Sequence, residues 1–178
     1  VYIKGGIILA NTYLIQGEDL IAFGKELFKK AGMSEADADF HANALVQTNY
    51  WGIDSHGVIR IPAYFKRMIN GAVNVKPDIK TVRGEGCLEV LDADAAAGFI
   101  GAKAGMERAI KNAKKTGIAA CGVINSNHFG AGALYARMAA EKGMIGIAMT
   151  NVKPLIVAPG ASQPVTGNNP IAFAIPTY

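Results

Sequence analysis

The sequence predicts an α/β fold, with an amino-terminal helical segment followed by a mixed, partly parallel sheet that carries helices on it. Two observations point there. Over the first 70 residues apolar side chains recur at helical spacing, and beyond Gly117 short apolar runs alternate with a helical pattern in the order strand, helix, strand. The 178 residues are 51% hydrophobic and 18% charged. That composition supports a buried core without a disulfide or metal staple, and is too apolar for a disordered chain.

The elements follow in order. Residues 1–16 show no helical period and too short an apolar stretch for a signal peptide, and they stay unassigned. Leu20, Phe23, Leu27 and Phe28 share one helical face, with Gly32 placed to end that helix. Ser34 caps a second helix, which carries Glu35 and Asp37 in its first turn and runs through Phe40, Ala44 and Val46 to about Tyr50. Ile61, Tyr64, Phe65 and Met68 mark a third, with Pro62 in its first turn and Gly71 beyond its end. Pro77 and Gly84-Glu85-Gly86 then bracket a short strand, and Cys87 to Leu91 reads as another. Phe99, Ala102, Met106, Ala109, Ile110 and Ala113 return to helical spacing, closed by Gly117. A strand (Ile118 to Ile124), a polar loop (Asn125 to Gly130), a helix (Ala131 to Lys142) and a strand (Met144 to Met149) read as a βαβ unit, the source of the expected parallel pairing. After the strand-like run Ile171 to Ile175 the sequence stops at Tyr178 without a terminus signal, and a truncated chain is expected.

The net charge of +4 is thinly spread. Lys111, Lys114 and Lys115 cluster where a helix ends and cations complement the dipole, with no aromatic residues interleaved, so no nucleic-acid partner is expected. The apolar runs fall well short of the ~20 residues of a spanning helix, so no membrane partner is expected either. Cys87 and Cys121 lie far apart in apolar segments and are expected to be reduced core residues, which suits a cytoplasmic protein.

Two of the three histidines sit in polar, glycine-flanked loops. His128, in Asn125-Ser126-Asn127-His128-Phe129-Gly130, follows a strand at the end where open α/β sheets place ligands. Its near-neutral pKa suits proton exchange with a substrate oxygen, although a loop histidine bonded only to backbone would look the same. His56 lies in Asp54-Ser55-His56-Gly57-Val58-Ile59-Arg60. Arg60 and Tyr64, four residues apart, share a helix face and can present a guanidinium fork and a phenol to one carboxylate, with Arg67 continuing nearly the same face. The alternative is a Ser55 helix cap, a surface Arg60 and a core Tyr64. His41, inside the second helix, is expected to be an ordinary, partly exposed residue.

Gly130-Ala131-Gly132 opens like a dinucleotide fingerprint, but Tyr135 stands where the third glycine or alanine belongs. A Rossmann fingerprint is absent, as are a Walker sequence, a GxSxG elbow and any metal-ligand spacing. Polar loops at Thr150 to Pro154, Pro159 to Ser162 and Gly167 to Pro170 can offer backbone donors to phosphate or carboxamide groups, or serve as turns alone.

Together, Gly52-Ile53-Asp54-Ser55-His56-Gly57 with Arg60 and Tyr64, Asp92-Ala93-Asp94 followed by Ala97-Gly98, Asn127-His128-Phe129-Gly130, and Gly167-Asn168-Asn169-Pro170 resemble the malate/L-lactate dehydrogenase family of the non-Rossmann type. The family includes ureidoglycolate dehydrogenase, 2,3-diketogulonate reductase, sulfolactate dehydrogenase and cyclic imino-acid reductases. The similarity covers about residues 18–176. It implies a non-Rossmann dinucleotide-binding fold, incomplete in this chain, with a helical substrate-side region over 17–75 and a truncated cofactor-binding region over 76–178.

The resemblance also implies hydride transfer between NAD or NADP and C2 of a small 2-hydroxy or 2-oxo acid, in a homodimer. His128 matches the acid/base of ureidoglycolate dehydrogenase, whereas Ser55 and His56 match the relay and proton donor of the imino-acid reductases. Arg60 matches the carboxylate ligand, Tyr64 and Asn168 lie on the substrate side, and Ile124, Asn125, Ser126, Asn127, His128, Asn151 and Val152 on the cofactor side. Asn168 replaces the family's usual threonine, and Val152 a small hydroxylic residue. Reduction of a cyclic C=N bond and a non-catalytic small-acid binding or assembly module are the alternatives.

Overall fold

The computed structural model describes residues 14–177, so the unassigned segment lies almost wholly outside the described residues, as does Tyr178. Three helices come first: α1 (Gly17–Lys30), α2 (Glu35–Tyr50) and α3 (Ile61–Ile69). Acidic Glu18 and Asp19 open α1 and Lys29 and Lys30 close it, each complementing the dipole. Gly32, at φ +102°, turns the chain as expected. The Ser34 side chain accepts from the Asp37 N–H at 3.1 Å and caps α2. Two short 3-10 turns, Asp54–His56 and Val58–Arg60, lead into α3, which has Pro62 in its first turn.

Phe28, Leu45 and Phe99 are fully buried in one core with Met33, Ile61, Met68 and Val73. Two expectations change here. Phe23 leaves the α1 core face and is exposed. His41 is 1% exposed, with its ring stacked between Phe28 (centroids 4.4 Å apart) and Phe99 (4.2 Å). Burial drives its pKa down to about 3, so it is a neutral aromatic plate in the core.

The sheet that positions the site holds β1 (Lys80–Glu85), β2 (Leu88–Asp92) and β3 (Ala120–Ile124). β1 and β2 form an antiparallel hairpin, and β2 runs parallel to β3 with Leu88 opposite Ala120 and Asp92 opposite Ile124. The crossover between that parallel pair is α4 (Gly98–Thr116). The expected βαβ unit therefore exists one element earlier than the sequence suggested. The strand after α5 (Ala133–Ala140), β4 (Gly146–Met149), does not join β3 but pairs antiparallel with β7 (Ile171–Ala174) in a separate sheet. Between them, β5 (Ile156–Val157) and β6 (Pro164–Thr166) form a small hairpin. Cys87 is also corrected: it is exposed beside Leu88 at the β1–β2 turn, while Cys121 is half-buried, and both are free thiols. No described helix is long and apolar enough to cross a membrane.

Candidate functional site

The in-register β2–β3 pair brings two loops to the same edge: Ala93 to Ala97 after β2 and Asn125 to Gly130 after β3. The Ala93 N–H donates to the Ile124 carbonyl at 3.0 Å and the Ala95 N–H to that of Asn125 at 2.9 Å. Asp94, Ala95 and Asn125 take positive φ, a costly geometry for residues with a Cβ. The carboxylates of Asp92-Ala93-Asp94 brace that turn. Asp92 accepts from the Asp94 N–H (2.8 Å) and the Asn125 carboxamide (3.1 Å), and Asp94 from Asn74 (2.8 Å) and the Asp78 N–H (3.0 Å). A Cβ at Gly98 would collide with the carbonyls of Asn127 and His128, so only glycine lets α4 begin this close beneath the loop.

The loop is pinned from three more sides. Asn127 donates to the carbonyls of Ala95 and Ala96, both at 2.9 Å, and accepts from Arg67 Nη2 at 2.6 Å. The buried Tyr135, whose identity broke the glycine fingerprint, stacks on Phe129 at 5.2 Å and donates its hydroxyl to the Phe129 carbonyl. His128, thus positioned, places Nδ1 2.7 Å from the Tyr64 hydroxyl of α3, across 64 residues of chain.

His56 arrives from the 3-10 turn, with Nδ1 2.8 Å from the Ser55 hydroxyl. The imidazoles of His56 and His128 are stacked with centroids 5.5 Å apart. Arg60 donates Nε to the Ser55 carbonyl at 2.6 Å, which sets its guanidinium beside the His56 turn. Ser55, His56, Arg60, Tyr64 and His128, which carry both alternative assignments of the acid/base, are therefore gathered in one cluster. Each histidine has Nδ1 occupied by a hydroxyl, and neither Nε2 has a protein partner among the described residues.

Burial, then the Arg60 charge, pushes the His56 pKa down, while for His128 burial comes first, followed by His56, Arg60 and Arg67. Both are neutral at pH 7. Burial raises the Tyr64 phenol to about 12, so it stays a neutral hydroxyl able to donate or accept.

The cofactor-side set divides. Ile124, at the end of β3, and Ser126, in the loop that leads to His128, are exposed, but the carboxamides of Asn125 and Asn127 are spent on the turn. Asn151, Val152 and Asn168 belong to a second loop cluster, where the Val152 N–H donates to Asn169 Oδ1 at 2.8 Å and the Thr150 N–H to the Pro170 carbonyl at 3.2 Å. No hydrogen bond joins that cluster to the histidines among the described residues. Sequence reasoning missed the bracing roles of Asn127 and Tyr135, and the only hint was that a bulky phenol stood where a glycine turn would need none.

A profile described as malate/L-lactate dehydrogenase matches residues 15–178. The malate dehydrogenase of Pyrococcus abyssi is 40% identical over 172 residues, covering 97% of this chain and 48% of that protein. The NAD(+) ureidoglycolate dehydrogenase of Escherichia coli O157:H7 is 38% identical over 147 residues, covering 83% and 42%. The solved malate dehydrogenase of Pyrococcus horikoshii OT3 superposes with a TM-score of 0.92 at 39% identity, over 99% of this chain and 51% of that one. The chain thus spans about half the length of the relatives it matches.

Proposed function

The chain belongs to the malate/L-lactate dehydrogenase family, and on that premise we propose that it moves hydride between a nicotinamide cofactor, NAD or NADP, and C2 of a small 2-hydroxy or 2-oxo acid. The observation that carries this reading is the stacked His56–His128 pair, each ring held by a hydroxyl at Nδ1 beside a guanidinium. When bound, the nicotinamide supplies the hydride acceptor or donor. Ile124 and Ser126, exposed on the β3 end and loop that lead to His128, are the residues assigned to line it.

Arg60 anchors the substrate carboxylate through the guanidinium nitrogens left over from its contact with Ser55. His128 is the acid/base. His128 Nδ1 faces the Tyr64 hydroxyl at 2.7 Å and the Gly130 N–H at 3.4 Å; when the ring carries its proton on Nδ1, Nε2 has the lone pair that takes the hydroxyl proton as hydride leaves C2, so no alkoxide accumulates. Its lowered pKa suits the base direction, and the same proton returns to the carbonyl oxygen in reduction.

In the full-length natural protein, His128→Ala is expected to cut kcat about 10²–10⁴-fold, the usual share of a general acid/base, with cofactor affinity little changed. A second reading, reduction of a cyclic imine with His56 as donor, draws on the 2.8 Å Ser55–His56 contact. His56→Ala giving the large loss while His128→Ala stays near wild type would favour it, as would turnover of cyclic imines but not of 2-oxo acids. A non-catalytic acid-binding module would show no change in NADH fluorescence on titration.

A further inference from the structure

Arg60, Tyr64 and Arg67 stand at i, i+4 and i+7 along one helical face, with Arg60 in helical conformation immediately before α3. The two arginine Cα atoms are thus separated by about 10 Å of helix rise, and Tyr64, bonded to His128, lies between them. The guanidiniums reach the histidine pair from opposite ends, Arg60 beside Ser55 and His56, Arg67 on Asn127 next to His128. Arg67, Tyr64 and His128 line one small cavity beneath the site.

Neither arginine has a carboxylate partner among the described residues. The one acid in the turn, Asp54, is engaged by the Asn49 carboxamide at 2.5 Å. With both histidines neutral, the site carries two uncompensated positive charges. A substrate with one carboxylate neutralises only the first, and leaves the second, exposed guanidinium without a counter-charge.

We infer that Arg67 is a second anion ligand and the specificity-determining residue, selecting 2-oxo and 2-hydroxy acids that carry a further acidic group over monocarboxylates. This rests on reading Arg60 as the anchor of the C1 carboxylate. Kinship alone does not decide the point, because malate is a dianion and ureidoglycolate a monoanion. Arg67 spends one donor on Asn127 and has further N–H groups for the distal acid.

The test compares oxaloacetate with pyruvate, using the reduced cofactor and the full-length natural protein. Arg67→Met should lower kcat/KM about 10- to 100-fold more for oxaloacetate than for pyruvate, the scale of a lost hydrogen bond to a charged group, because the lost contact to Asn127 acts on both acids alike. Arg67→Lys, which keeps the charge, should restore most of the discrimination. Equilibrium titration with tartronate (two carboxylates) and oxamate (one) in the presence of NADH should show the same selective loss without turnover. Equal losses for both acids would overturn the inference and reduce Arg67 to a brace for the Asn127–His128 loop. So would an unsubstituted protein that prefers pyruvate. If the unsubstituted protein neither binds nor turns over any 2-oxo acid, the parent reading fails as well.

Discussion

The helical half and the terminal strands use their apolar residues in opposite ways. In α1, α2 and α3 large side chains supply the core, with Phe28, Leu45 and Met68 buried, while Phe23, Tyr50 and Ile69 stand exposed one to a helix. In β4 and β7 the small residues face inward instead: Gly146 and Ala148 are buried and Ala172 and Ala174 half-buried against α5, while Ile147, Met149, Ile171 and Phe173 stand exposed on the other face. Strand alternation assigns each residue to one of two faces, but only one face here has a partner within the described chain. A sheet whose larger residues occupy its open face is patterned to receive a second layer, whereas the helical half already packs Phe28, Leu45 and Met68 into a core.

Replacing residues in each region by alanine tests that contrast most directly. Phe28→Ala should destabilise the protein by about 3–5 kcal/mol in denaturant unfolding, the cost of an aromatic lost from a packed core, and it also removes one side of the His41 sandwich. A loss below about 1 kcal/mol would mean that this core relaxes easily and that the two regions differ less than their burial suggests.

His41 sharpens the contrast through pH. Its folded-state pKa of about 3 lies below its ordinary value, so the stability it confers is fully present above pH ~6.5 and is lost as pH falls from there towards 3. The slope attributable to this one group is up to about 1.4 kcal/mol per pH unit. His41→Phe, which keeps an aromatic plate and removes two buried nitrogens without partners, should flatten the acid limb and leave stability at pH 7 equal or higher. An unchanged acid limb in urea unfolding measured at pH 4, 5 and 7 would place the acid sensitivity elsewhere.

The smallest stability effect is expected on the open face, where Ile147→Ala and Phe173→Ala should each fall within about 0.5 kcal/mol of wild type. Their consequence is association. The 178-residue chain should be larger than a monomer by light scattering, and Ile147→Lys with Phe173→Lys should shift it towards monomer. A monodisperse monomer with both apolar residues intact would show that this face needs no cover.

The sequence by itself determined what is local. Helix period, the Ser34 cap, Pro62 in a first turn and the glycine stops depend on neighbours within a turn or two, and the structure keeps them, Phe23 on the α1 face excepted. The Ser55-His56 turn and the helical spacing of Arg60 and Tyr64 were legible for the same reason. What only the tertiary structure decided is non-local. The pairing of β2 with β3, and of β4 with β7, depends on which sheet each helix packs against, and strand sequences of similar composition do not encode that choice. His41 reads as polar at every position, yet the close-packed volume between Phe28 and Phe99 makes it a core plate. The Tyr64–His128 and Arg67–Asn127 contacts join residues 64 and 60 positions apart. No spacing rule reaches that far; only the braced loop packed over Gly98, with α3 beside it, brings those side chains within hydrogen-bond distance.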